Sequence, residues 1–84
     1  MNTKHEEALV ITMEEAAEVI QECSKVLRFG KTTDSLDKEV GDLICLLDIL
    51  VNEGIINKDI IERSIEQKLS KLSRYSDNLG KPQS

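Results

Sequence analysis

Two clusters of carboxylates are the residues of this 84-residue chain whose spacing predicts chemistry. They are EEAAE at residues 14–18 and, after a spacer of 20 residues, EVGD at residues 39–42. Each cluster holds two carboxylates three residues apart, so on a helix each pair shares one face. Pairs of this kind that face each other across two helices repel unless a cation neutralises them. Converging carboxylates suit Mg²⁺ or Mn²⁺, and Mg²⁺ commonly takes substrate phosphates as further ligands.

Three helices are predicted to position these clusters, over about residues 3–29, 36–53 and 58–76. Apolar residues recur in them every three or four positions, the period of one helical face. Thr3 and Glu6 have the spacing of a capping box at the first helix start. Gly30 fits a C-terminal cap, and Asn57 an N-terminal cap of the third helix.

The second helix carries the apolar run LICLLDILV at residues 43–51. A helix that is apolar on nearly every face must be buried all round, which two further short helices do not achieve. The short connections predict antiparallel packing of neighbouring helices. We therefore predict an all-α fold, an antiparallel helical hairpin array of about three helices that completes a four-helix-type bundle by oligomerisation. Residues 1–78 would form this one domain, and residues 79–84 a flexible tail.

Composition narrows the range of partners. Residues 1–53 hold 12 acidic and 5 basic residues, residues 54–84 hold 4 and 6, and the whole chain has a net charge of −5. This acidity argues against nucleic acid as a partner. No apolar run is long enough for a membrane span or a signal peptide, so we expect a cytoplasmic protein. We expect Cys23 and Cys45, which lie in apolar periodic segments, to be reduced core residues.

The ordered pair EEAAE and EVGD resembles the EExxE…ExxD motif of the MazG-like nucleotide pyrophosphohydrolases, in the all-α NTP pyrophosphatase superfamily. The resemblance covers roughly residues 8–75. It implies Mg²⁺-dependent hydrolysis of nucleoside triphosphates, often deoxynucleotides, to the monophosphate and pyrophosphate, by a homodimer or homotetramer. The metal ligands that it implies are Glu15, Glu18, Glu39 and Asp42.

The reaction would proceed by attack of water on the α-phosphorus, with pyrophosphate as the leaving group. A carboxylate, Glu14 or Glu39, would take the proton of that water. Small residues beside the acids, Ala16, Ala17 and Gly41, are expected to let the two helices approach closely. Many relatives have Glu where this chain has Lys38, so a further ligand or base at that position is not expected here.

Basic residues are the candidates for substrate binding. Lys68 and Arg74 on the third helix match the positions where family members often hold substrate phosphates, and positive charge there would offset charge on the leaving pyrophosphate. Lys38 is a further candidate for substrate binding. Arg28 and Phe29 end the first helix, where Phe29 would either stack on a nucleobase or cover the end of the core.

Two other functions remain open at the level of the sequence. The first is a non-catalytic helical oligomer, an adaptor or regulatory protein whose acids only confer solubility. The second is a hydrolase of the same superfamily that acts on another phosphoanhydride such as phosphoribosyl-ATP. Pyrophosphate release from a panel of nucleotides distinguishes all three.

Overall fold

The computed structural model describes residues 2–79, which form three α-helices and no strand. The helices are α1 (Thr3–Phe29), α2 (Asp34–Asn52) and α3 (Lys58–Tyr75). This confirms the all-α prediction, and each predicted boundary is within two residues of the observed one. Of the predicted tail, residues 80–84 lie outside the described residues.

The helix ends are fixed by caps, most of them predictable. Gly30 adopts the left-handed conformation at the end of α1, with φ of 63°. Asn57 caps α3, where its side chain accepts a hydrogen bond from Ile60 N at 3.0 Å. The predicted capping box at Thr3 is wrong, because Asn2 is the cap and accepts from His5 N at 2.8 Å. Asn is at least as good an N-cap as Thr, and its position one residue earlier lets the helix include Thr3.

Helices α1 and α2 form an antiparallel hairpin. Residues that recur every three or four positions along each helix turn toward the other helix and are buried or half-buried. We call them the seam: Ala8, Thr12, Glu15, Val19, Glu22 and Val26 of α1, with Leu36, Glu39, Leu43, Leu46 and Leu50 of α2. Among residues 2–79 only Ala8 and Leu50 are buried. An ion pair of 2.7 Å between Lys4 and Glu53 joins the two helices at the open end.

Helix α3 makes only marginal contact with the hairpin. Antiparallel packing of neighbours is therefore correct for α1 and α2 and wrong for α2 and α3. Ile65 and Leu69 on the apolar stripe of α3 remain 54% and 55% exposed. The Cα atoms extend over 46 × 32 × 16 Å. Because α3 does not pack on either face of the α1–α2 hairpin, the hairpin forms a single layer of helices.

This single layer explains two further departures from the sequence predictions. Cys23 and Cys45 are exposed rather than core residues, because no other element within residues 2–79 packs on the two broad faces of the hairpin. A Cβ built on Gly41 has no atom within 4 Å, so this glycine does not serve close helix approach within the chain. Within residues 2–79 no helix has the length and hydropathy needed to cross a membrane.

Candidate metal centre

Three of the predicted ligands converge between α1 and α2. One carboxylate oxygen each from Glu15, Glu39 and Asp42 lies within 4.8 Å of the other two. Glu15 comes from the middle of α1, and the other two come from the first half of α2. Because the helices run antiparallel, these positions lie side by side in the hairpin.

The carboxylates of Glu15 and Glu39 occupy seam positions, where a helix hairpin normally buries apolar side chains. The side chain of Glu39 is only 17% exposed. Burial of a carboxylate is unfavourable unless it is paired or coordinates a metal ion. Two carboxylates that face each other at core positions therefore destabilise the fold, and packing alone does not explain their presence.

The inner oxygen atoms of these two residues lack partners. Oε2 of Glu15 and Oε2 of Glu39 are shielded from solvent and accept no hydrogen bond within the described residues. Glu22, the third carboxylate in the seam, differs because Lys25 Nζ donates to it at 3.1 Å. Unpartnered buried oxygens next to an Asp carboxylate match the all-oxygen ligand set of a hard divalent cation. The residues present thus fit the predicted Mg²⁺.

Glu18, the fourth predicted ligand, lies against Glu39 rather than within the group of three. The pKa of Glu39 is raised, chiefly because the Glu18 side chain hydrogen-bonds its protonated form. Burial and the negative charges of Glu18 and Asp42 raise this pKa further, and Lys38 opposes the effect. Glu39 therefore holds a proton more readily than an isolated glutamate does.

Lys38 is the basic residue at the cluster, a contact that sequence reasoning missed. Its ammonium lies 3.2 Å from Asp42 Oδ2 and 3.6 Å from Glu39 Oε1. The pKa of Lys38 is raised, first by the hydrogen bond to Asp42 and then by the charges of Asp42 and Glu39. The spacing of four between Lys38 and Asp42 was a signal for this ion pair.

The candidate base Glu14 is exposed on α1 directly before Glu15. Arg28 and Phe29 lie at the far end of α1, about 15 Å along the axis beyond Glu18. The Arg28 guanidinium carbon is 5.1 Å from the centre of the exposed Phe29 ring. The pair is thus available to a planar ligand and is remote from the carboxylates.

Lys68 and Arg74 lie on α3, and the single chain does not bring them to the cluster. Neither forms an ion pair within residues 2–79, and the Arg74 guanidinium carbon lies 5.7 Å from the centre of the Tyr75 ring. Their predicted role in phosphate binding was based on position along the sequence. Position along the sequence does not determine the direction in which α3 leaves the hairpin.

Comparisons with known proteins identify no relative of this chain. The chain matches no family model, no curated protein and no solved structure.

Proposed function

We propose that the chain is a Mg²⁺-dependent nucleoside triphosphate pyrophosphohydrolase. It would hydrolyse (d)NTP to (d)NMP and pyrophosphate, in the manner of the MazG-like enzymes that its motif resembles. The observation that carries the proposal is the pair of unpartnered, shielded oxygens of Glu15 and Glu39 beside Asp42. A solubilising role for acids predicts carboxylates on the outside of the hairpin, not in its seam.

In this proposal Glu15, Glu39 and Asp42 hold the cation, and Glu18 completes the ligand set. The bound ion would polarise a phosphoryl oxygen and lower the pKa of water. Glu14 accepts the proton of the attacking water, because the carboxylate of Glu39 is then engaged with the cation. The water oxygen forms a bond to the α-phosphorus, the bond from that phosphorus to the bridging oxygen breaks, and pyrophosphate leaves with the electron pair.

Lys38 supplies positive charge to the phosphates in the proposed complex. Its ammonium is largely exposed and is held in the metal-free chain by Glu39 and Asp42. Once a cation satisfies these carboxylates, Lys38 is free to bind a phosphate oxygen. We assign the remaining phosphate contacts to Lys68 and Arg74.

Arg28 and Phe29 are proposed to bind the base. Both side chains are exposed at the end of α1, and a planar base would stack on the face of the Phe29 ring that the Arg28 guanidinium leaves open. The enzyme is proposed to act as a homo-oligomer, because one chain leaves most of its apolar side chains exposed.

The test is an assay of a panel of NTPs and dNTPs with Mg²⁺, in which monophosphate and pyrophosphate are both quantified. Reaction in ¹⁸O-labelled water should place the label in the monophosphate, as attack at the α-phosphorus requires. Glu39→Gln should lower the rate about 100-fold or more, because it removes a proposed ligand of the cation. Glu7→Gln, an exposed carboxylate two turns before Glu15 on the same helix, is the matched control and should retain the rate.

Binding is measured separately from turnover. At 100 times its dissociation constant, Mg²⁺ should raise the free energy of unfolding by about 2.7 kcal/mol, and Glu39→Gln should remove this gain. Mg²⁺ stabilisation with cleavage of phosphoribosyl-ATP alone would move the assignment to another substrate of the superfamily. Absence of both stabilisation and pyrophosphate release would contradict the enzyme proposal and favour an adaptor.

A further inference from the structure

The ammonium of Lys38 occupies part of the candidate metal centre. Its Nζ atom lies 3.2 Å from Asp42 Oδ2 and 3.6 Å from Glu39 Oε1, so it contacts two of the three converging carboxylates. Within the described residues no other lysine or arginine forms an ion pair with these carboxylates. In the chain without metal, Lys38 is therefore the cation of the cluster.

The neutralisation that Lys38 provides is incomplete. Its single positive charge faces three carboxylates, and Oε2 of Glu15 and Oε2 of Glu39 still accept no hydrogen bond from residues 2–79. A divalent cation brings twice the charge and binds carboxylate oxygens closely, at about 2.0–2.1 Å for Mg²⁺. The ammonium and such a cation use the same carboxylates, and two positive charges at these distances repel each other.

The Lys38 side chain can leave the cluster without disturbing the fold. It is 72% exposed, whereas the carboxylate side chain of Glu39 is held in the seam. A lysine stem is flexible, and its ammonium is a strongly hydrated point charge. Movement of the ammonium into solvent or onto another anion therefore leaves the packing of α1 and α2 intact.

We propose that Lys38 competes with the divalent cation for Glu39 and Asp42, and thereby makes metal binding depend on nucleotide. With no nucleotide present, the ammonium holds these carboxylates and opposes the binding of free metal. A triphosphate that arrives with the metal provides anionic oxygens that bind the ammonium and withdraw it from the carboxylates. This inference rests on the proposed function for the identity of the anion, whereas the competition itself follows from the observed contacts.

The reciprocity of linked binding equilibria defines the consequence for the site. If the phosphates withdraw Lys38 and so strengthen metal binding, the metal strengthens phosphate binding by the same factor. Metal and nucleotide are then bound together, as the complex that they form in solution. An ordinary ion pair on the surface of a helix, by contrast, contributes little and is coupled to neither ligand.

Two lysines that pair with seam carboxylates provide a matched test. Lys38→Met removes the charge and retains an unbranched side chain that favours helix. Lys25→Met is the control, because Lys25 lies 3.1 Å from the carboxylate of Glu22 and is about 15 Å from Glu15 along the helix axis. Charges this far apart are largely screened at physiological salt. Each variant loses one positive charge, and far-UV circular dichroism checks that each retains its helices.

The first measurement is the binding of Mn²⁺ without nucleotide, in which the EPR signal of the free ion reports the unbound fraction. We expect Lys38→Met to bind Mn²⁺ about tenfold more tightly than wild type, because the repulsion between the ammonium and the cation is removed. Lys25→Met should remain within about threefold of wild type. Adding Glu39→Gln to Lys38→Met should abolish the gain, which would place the ion at the cluster.

The second measurement adds a triphosphate that is not cleaved at the α-phosphorus. A dNTP analogue with a methylene group between the α- and β-phosphorus atoms is mixed with an equal amount of Mn²⁺ and titrated into each protein by calorimetry. We expect Lys38→Met to bind this complex no more tightly than wild type, because the phosphates hold the ammonium of wild type away from the carboxylates. The advantage of about tenfold that the variant has for Mn²⁺ alone should therefore be lost.

The outcomes distinguish this inference from the proposed function. Equal affinities of wild type and Lys38→Met for Mn²⁺ alone would overturn the inference, even if wild type hydrolyses dNTP. Tighter binding by Lys38→Met that persists with the analogue would also overturn it. Tighter Mn²⁺ binding that is lost with the analogue, together with no pyrophosphate release from any nucleotide, would support the inference and contradict the proposed reaction.

Discussion

At the scale of single residues, the main feature is a conflict between position and charge at Glu39. The residue occupies a seam position, carries an unpartnered oxygen and has Glu18 as its neighbour. Lys38 offsets part of the negative charge, but it does so from the exposed side. The seam therefore contains a carboxyl group that the described residues pair only in part.

This conflict predicts how stability depends on pH without metal. The pKa of Glu39 is raised above 4.5 in the folded chain, so the folded state holds the proton more tightly than the unfolded state. Its contribution to stability is complete below pH 4.5 and is lost as the pH rises through the raised pKa. In EDTA, urea unfolding at a series of pH values should show wild type losing stability relative to Glu39→Gln from acid to neutral pH.

Glu39→Gln also controls for the titration of the other carboxyl groups. Lys4 lowers the pKa of Glu53, which adds stability as the pH rises, but this effect is present in both proteins and cancels in the difference. Saturating Mg²⁺ should abolish the decline in wild type only. The stability of wild type relative to Glu39→Gln could instead stay constant or increase with pH. That result would show that the fold does not raise the pKa of Glu39.

At the scale of helices, local sequence signals predicted the elements well. Periodicity and caps at Gly30 and Asn57 are properties of adjacent residues, so they can be read directly. The direction of α3 depends instead on whether its stripe finds a partner within the chain. Short connections favoured packing on α2, and the observed α3 does not pack there.

The candidate site divides in the same way. Convergence of Glu15, Glu39 and Asp42 followed from helical spacing and an antiparallel hairpin. Their burial in the seam depends on the register between α1 and α2. That register cannot be predicted from residue spacing within a single helix. Lys68 depended on the placement of α3, and for that reason its predicted proximity to the acids is not seen in one chain.

Alanine substitutions at two glycines test whether each position requires glycine. Gly41 is inside α2 with open space around it, so Gly41→Ala should stabilise the chain by about 0.5–1 kcal/mol through helix propensity. Gly30 has a φ of 63°, and Gly30→Ala should destabilise it by about 1 kcal/mol because of its left-handed conformation. Urea unfolding measures both, and destabilisation by Gly41→Ala would mean that close approach, as first expected from the sequence, does operate there.

At the scale of the whole molecule, the chain is flat and extended. Its radius of gyration is 15.6 Å, whereas a compact chain of this length has about 12 Å. Only Ala8 and Leu50 are buried among residues 2–79. Hydrophobic burial is the main source of folding free energy, and one chain obtains little of it.

Stability should therefore depend on protein concentration. If folding is completed by association, the melting midpoint falls on dilution, because dissociated chains lose the apolar contacts of the partner. We expect a decrease of about 3–6 °C for each tenfold dilution of the wild type. Differential scanning calorimetry across a hundredfold range measures this, and a wild-type midpoint that does not move would mean that one layer of helices is stable alone.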